Sequence, residues 1–252
     1  SDADPGDALQ YAWDLDGDGA FDDATEVAPA FTYTAVADVT VRLRVTEIFA
    51  SLQGESSRVG LPTVFVRLTG CPLRCTWCDT AYAFTGGNTR TLDDILAEVA
   101  GHGLRHVCVT GGEPLAQKAC ITLLTALCDA GHDVSLETSG ALDIAGVDAR
   151  VARIVDLKAP GSGELARNRY ENVPLLRAHD EIKIVLANVT DYDWARAQIA
   201  EHRLAERCSV LLSPVAGALE PATLAAWIMR DRLPVRFQLQ LHKILWNDAR
   251  GR

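Results

Sequence analysis

The sequence predicts an α/β protein: a parallel sheet, open or curled into a barrel, preceded by a short all-β N-terminal appendage. Three observations lead there. From about residue 45 onward, short apolar strands alternate with amphipathic helices, the pattern of βα units feeding one parallel sheet. Residues 1–44 alternate with a two-residue period broken by Asp/Gly turns, as antiparallel strands do. Charge divides at nearly the same place. Residues 1–46 hold ten acids against Arg42 and Arg44, a net −8, whereas the remaining 206 residues net only −2.

In chain order, RVTEIFA (44–50) and PTVFVRLTG (62–70) are extended and apolar. TLDDILAEVAGHG (91–103) is a helix capped by Thr91, with Leu92, Ile95, Leu96 and Val99 on one face. HVCVTGG (106–112) is a strand, and ACITLLTALCDAG (119–131) a helix closed by Gly131. DVSLETSG, RIVDLK and EIKIVLA are further strands; DYDWARAQIAEHRLAE is helical, SVLLSP extended, PATLAAWIMRD helical and VRFQLQLHK extended. Functional residues are expected where strands end, at the carboxyl side of the sheet.

The 252 residues suffice for one barrel domain plus an appendage. No apolar run approaches the ~20 residues that cross a bilayer, and SDADPGDALQ has neither a basic nor an apolar signal region. The expected location is the cytoplasm, without a membrane partner. The nearly neutral body shows no basic stripe, which argues against nucleic acid. Of seven cysteines, Cys108, Cys120, Cys128 and Cys208 are scattered and read as core thiols.

The other three fall in GCPLRCTWCDT, as Cys71, Cys75 and Cys78. A structural zinc site needs a fourth ligand. No histidine lies between Gly70 and Gly101, and His102 and His106 lack ligand spacing to the trio. Three soft thiolates suit an iron–sulfur cubane, holding three irons and leaving the fourth for a small molecule. Cys-x-x-x-Cys-x-x-Cys after a strand, with TGGEP at 110–114 after the next, resembles the radical S-adenosylmethionine (SAM) superfamily. The resemblance implies that the open iron binds the amino and carboxylate groups of SAM. One-electron reduction then breaks the sulfonium bond and releases a 5′-deoxyadenosyl radical. Gly112 would permit close approach, and Glu113 would hold the SAM ammonium.

EIFASLQGE (47–55), CDT (78–80), ETSG (137–140) and QLHK (240–243) narrow the likeness. Together they resemble the 7-carboxy-7-deazaguanine synthase family, from about Leu43 to Trp246. That resemblance implies a partial (β/α) barrel of the radical SAM type over residues 42–252. It also implies a 4Fe–4S cluster, SAM and Mg²⁺, a small pterin substrate, a reducing electron-donor protein and a homodimer. Family members turn 6-carboxy-tetrahydropterin into 7-carboxy-7-deazaguanine with loss of ammonia. Carried onto this chain, Leu52, Gln53, Gly54, Glu55, Arg67, Thr110 and His242 would face substrate. Trp77, Cys78, Asp79, Gly112, Glu113 and Asp156, Leu157 and Lys158 would border SAM, Glu137 and Ser139 would reach its ribose, and Thr80 would bind Mg²⁺. QGES replaces the commoner QGEG, a change expected in loop flexibility more than in chemistry.

Residues 1–41 resemble the second half of a PKD domain, an immunoglobulin-like sandwich, and suggest a fusion, a recombined or designed chain, or a misassigned start. Their DLDGDG run reads as an acidic solvated loop, since the twelfth position from Asp14 is Thr25 and not the glutamate of an EF-hand. A glycyl-radical-enzyme activase is the nearest alternative, and a zinc-binding module without catalysis the second.

Overall fold

The computed structural model describes residues 40–247 and 249–251. The PKD-like and acidic-loop readings of the leader lie outside the described residues.

β1 (Arg42–Leu52) and β2 (Pro62–Leu68) pair as an antiparallel hairpin, with Ile48 opposite Val66, and β3 (Asn88–Thr91) pairs antiparallel with the start of β1. From β2 onward the sheet is parallel, through β4 (His106–Gly111), β5 (Asp133–Thr138), β6 (Ala152–Asp156), β7 (Glu181–Leu186), β8 (Ser209–Pro214) and β9 (Arg236–Phe237). The nine strands run in the order β3-β1-β2-β4-β5-β6-β7-β8-β9, with β3 and β9 as unjoined edges. This is a partial barrel. The expected all-parallel sheet is corrected at its start, where a hairpin loop replaces a helical crossover.

Helices α1 (Leu92–Gly101), α2 (Cys120–Asp129), α3 (Val189–Glu201), α4 (Leu204–Arg207) and α5 (Pro221–Asp231) connect the parallel strands. Thr91 caps α1 as expected: its Oγ1 accepts from Asp94 N at 3.1 Å while the Asp94 carboxylate accepts from Thr91 N. Ile95 and Val99 are fully buried, with Leu92 and Leu96 packed beside them. Val107, Cys108 and Val109 are buried consecutively, so β4 is covered on both faces. Cys108, Cys120 and Cys208 lie in the core and Cys128 is half-buried.

VRFQLQLHK departs from expectation. Only Arg236 and Phe237 form a strand, and α6 (Leu241–Trp246) begins inside the motif. The alternation of Val, Phe and Leu mimics a strand, but tertiary bonds to the β1–β2 loop override it. Because β1 runs against the parallel strands, its loop (residues 53–61) lies where those strands begin. Ser57 N donates to Glu181, the first residue of β7, and Arg58 to Asp133, the first of β5. The same loop is bonded to the far edge of the sheet. Ser56 N donates to Gln238 Oε1 at 2.8 Å, Gln238 Nε2 returns to Ser56 O at 2.7 Å, and Leu241 N donates to Gly54 O at 3.0 Å. A Cβ on Gly54 would collide with His242 Nδ1, so the ring sits where it does only because residue 54 has no side chain. The loop thus closes the open side of the barrel from below and floors its interior.

On the other face of the sheet from the barrel interior, Arg153 of β6 meets Asp180. Both side chains are almost wholly buried (1% and 0% exposed). Arg153 Nε donates to both Asp180 oxygens at 3.1 Å, and its Nη groups reach the Leu175 and Ile144 carbonyls. Asp180 also accepts from the backbone N–H groups of Arg153 and Arg177. Each polar atom of the pair has a partner, the condition for tolerating buried charge.

Candidate active site

β2 ends at Leu68, and Gly70, at φ +100°, turns the chain into the cysteine loop. Thr76 N and Oγ1 donate to Ser162 O and Gly161 O, and Arg74 N to the Glu164 carboxylate, so the loop rests on residues 161–164. The Arg74 guanidinium lies 4.3 Å from the Phe84 ring centre and donates back to Cys71 O. Cys71 and Cys75 are half-buried and Cys78 is exposed. Burial pushes the thiols of Cys71 and Cys75 up, so metal binding would displace their protons.

The glycine pair after β4 meets this loop. Gly112 N donates to Leu68 O and Glu113 N to Gly70 O at 2.7 Å. A Cβ on Gly112 would strike the Gly70 carbonyl and come within 2.8 Å of Cys71 Cβ. The space beside Cys71 therefore depends on a missing side chain. Among the described residues no three His, Cys, Asp or Glu groups close on one ion position. Three partly exposed thiols on one loop, beside a space that Gly112 keeps open, fit the three corners by which a cubane is held.

One cleft of about 280 Å³ gathers the expected site residues, all but two of them. Glu113 and Leu157 are not among its lining residues. Glu113 is fully buried and turned from the cleft; its carboxylate accepts from Leu115 N, Thr138 Oγ1, and Ser139 N and Oγ. It braces the end of β5, with both oxygens bonded within the fold. Leu157 is 2% exposed and packs in the core, which leaves only its backbone near the cleft. Glu137, expected beside a ribose, accepts from Gln53 Nε2 at 3.2 Å and from Thr110 Oγ1 at 3.4 Å. Burial holds its carboxyl above the ordinary value, against the pull of Lys183 and Arg67.

At one end of the cleft Arg67 Nε donates to Glu47 at 2.7 Å, between the rings of Phe49 and Tyr82. The bond uses Nε, so among the described residues the Nη pair at the end of the fork has no hydrogen-bond partner and can take a carboxylate. Tyr82 OH also donates to Glu47, and burial first, then Glu47, push it up to about 12. Arg250, past α6, stacks on Tyr82 at 4.1 Å, and Ala249–Gly251 line the mouth.

Along the far wall, acids and bases alternate. Gln240 Nε2 donates to Glu55 at 2.6 Å, and Lys183 Nζ lies 2.5 Å from the other Glu55 oxygen. Lys183 is 3.8 Å from Asp156, which Lys158 meets at 2.9 Å. Burial alone would lower Lys183, yet Glu55, Asp156 and Glu137 raise it well above its usual value. Burial likewise opposes ionisation of Glu55, but Lys183 and Gln240 hold it below the ordinary carboxylate range. Sequence reasoning missed Lys183, Tyr82, Glu47, Gln240, Lys243 and Arg250. Lys183 had a signal: a charge on the same face as Glu181 in a strand otherwise apolar.

Thr80 Oγ1 donates to Asp79 Oδ1 at 2.8 Å, and Lys243 lies 3.4 Å from that carboxylate. Burial works against ionising Asp79, but the Thr80 hydroxyl and then Lys243 hold it below its ordinary value. Two adjacent oxygens are a sparse set, which Mg²⁺ accepts when water and substrate complete its octahedron.

An open (β/α) barrel with a Cys-x-x-x-Cys-x-x-Cys loop after one strand and a glycine pair after the next is a radical SAM protein, and the Radical SAM superfamily model matches residues 65–160. The 7-carboxy-7-deazaguanine synthase of Chlorobaculum tepidum is 50% identical over 213 residues, covering 83% of this chain and 97% of its own. That of Koribacter versatilis is 43% identical over 221 residues, covering 81% and 97%. This chain belongs to the 7-carboxy-7-deazaguanine synthase family. The fold also matches the crystal structure of QueE from Escherichia coli, at a TM-score of 0.67 and 23% identity over 80% of this chain and 95% of that one.

Proposed function

We propose that the chain is a carbon–nitrogen lyase that converts 6-carboxy-5,6,7,8-tetrahydropterin to 7-carboxy-7-deazaguanine with loss of ammonia, in the route to queuosine. The observation that carries this reading is the convergence of the cysteine loop and the QGE floor on one cleft. Family identity at 50% supports it over a glycyl-radical-enzyme activase. Cys71, Cys75 and Cys78 would hold a 4Fe–4S cluster, which together with SAM supplies a carbon radical able to abstract hydrogen from substrate. Gly112 leaves room beside Cys71, while Asp156 and Lys158 present paired charges to the amino-acid end of SAM. Glu113 acts at one remove, fixing Thr138 and Ser139.

On the substrate side, the Arg67 fork would grip the pterin carboxylate. Gln53, Glu55 and Thr110 would meet the ring's polar edge, with His242 at the floor. Thr80, beside Asp79, would bring Mg²⁺ to the substrate. A homodimer, a reducing electron-donor protein and a cytoplasmic setting complete the reading. The enzyme domain would begin at 42, with residues 1–41 a separate appendage.

Reconstituted enzyme given the pterin, SAM, Mg²⁺ and a reductant is expected to form the deazaguanine and ammonia. SAM cleavage without deazaguanine would overturn the reading. Thr80→Ala is expected to keep its cluster and part of its SAM cleavage while losing product and Mg²⁺ response; an unchanged metal titration would remove Thr80 from the site.

A further inference from the structure

Lys183 stands between two groups of residues that the proposed function assigns to different ligands. Its ammonium is shared unequally, 2.5 Å from Glu55 on the substrate floor and 3.8 Å from Asp156 on the SAM wall. It projects from β7 directly beside Asp156, its register partner on β6. Neither acid is otherwise idle. Glu55 has Gln240 on its second oxygen, and Asp156 has Lys158. The result is an alternating chain from the floor toward the cysteine loop, in which Lys183 is the one member that touches both halves. Its side chain is 13% exposed, so water competes weakly for it.

We propose that Lys183 is a positioning residue that couples the substrate half of the cleft to the SAM half. A pterin presents N–H donors along its pyrimidine edge, and a carboxylate that accepts them releases part of its hold on a neighbouring ammonium. With Glu55 so engaged, Lys183 closes its 3.8 Å gap to Asp156. That fixes the carboxylate and its Lys158 partner in the geometry that receives SAM. Each ligand therefore tightens the other, as linkage requires.

This inference rests on the proposed function, and its test separates the two. In the reconstituted enzyme with Mg²⁺, the dissociation constant of SAM is measured by equilibrium dialysis with and without saturating pterin-6-carboxylate, the unreactive oxidised analogue. The native protein is expected to bind SAM at least about fivefold tighter with the analogue present. Lys183→Met is expected to bring that ratio to about one, and Lys183→Arg to restore part of it. Asp156→Asn breaks the same link from the other side with Lys183 and Glu55 intact; it is expected to lose the ratio while keeping its pterin affinity. A Lys183→Met or Asp156→Asn protein that holds its cluster and keeps the native ratio overturns the inference, as does a native ratio of one. Native turnover to deazaguanine alongside either result confines the failure to Lys183. A native protein that neither binds the analogue nor makes product overturns both readings.

Discussion

Arg153 with Asp180, and Asp156 with Lys183, are two ionic groupings on or next to the same two strands, three residues apart. Their surroundings set them apart. The first is sealed: among the described residues the pair is bonded to itself, to two carbonyls and to two backbone N–H groups. The second faces the cleft, and its lysine divides itself between two carboxylates. A buried charge whose valences are all filled by its own fold can only hold that fold. One whose valences are shared can change partners when a ligand arrives. The face of the strand decides which it becomes: Ile154 and Asp156 of β6 line the cleft, whereas Arg153 points to the other side of the sheet.

The comparison breaks or sharpens on measured stability. Asp180→Ala leaves a buried guanidinium unpaired and is expected to cost about 3–5 kcal/mol in urea unfolding. The fraction still folded should retain its SAM affinity. Lys183→Met takes the cation from Glu55, but Asp156 keeps Lys158 and Glu55 keeps Gln240, so it is expected to cost less than Asp180→Ala, about 2–3 kcal/mol, while turnover falls at least about tenfold. Equal losses of stability in the two variants would show that both groupings are structural. Glu137→Gln tests the reverse sign. Burial raises the Glu137 carboxyl, so the folded state binds its proton more tightly than the unfolded chain does. Native stability therefore falls as pH rises from the ordinary carboxylate value through the folded one. The amide variant lacks that slope. It is expected to gain about 1 kcal/mol at pH 7, nothing near pH 4, and to lose product formation. A thermal melt series across pH reads this directly, and a gain equal at both pH values would refute it. The smallest effect belongs to Ser56→Gly. Ser56 is buried at φ +69°, and its Oγ accepts from Arg58 N. Relief of the left-handed strain outweighs the lost bond, for an expected gain of about 0.5 kcal/mol in thermal unfolding.

Periodicity and caps were enough to place most elements. Thr91 marked a helix start from local chemistry alone, and the apolar run HVCVTGG read as a short strand, as both prove to be. What escaped notice was settled by distant partners. NTRT is four polar residues whose pairing with β1 leaves no apolar trace. QLQLHK alternates like a strand, yet its two glutamine amides serve the β1–β2 loop. Site residues divide in the same way. Spacing marked Cys71, the TGGEP motif marked Gly112, and the family resemblance marked Arg67. The orientation of Glu113 depends on Thr138 and Ser139, some 25 residues away, and its sequence motif is silent on it. Lys183 lies in no motif, and only the buried strand around it made a charge there notable.

The bond between Ser56 and Gln238 spans 182 residues of sequence. Contacts that distant form only after the intervening chain has been ordered, since loop closure costs entropy before it returns any contact energy. The barrel's walls can therefore assemble strand by strand while its floor is still absent. The same seam is held by a few hydrogen bonds and little apolar surface, so it also opens at lower free energy than the strands above it. Amide exchange at residues 53–56 and 238–241 should run faster than at Val107–Val109. The joint that makes this barrel a container is expected to close last in folding and to give way first.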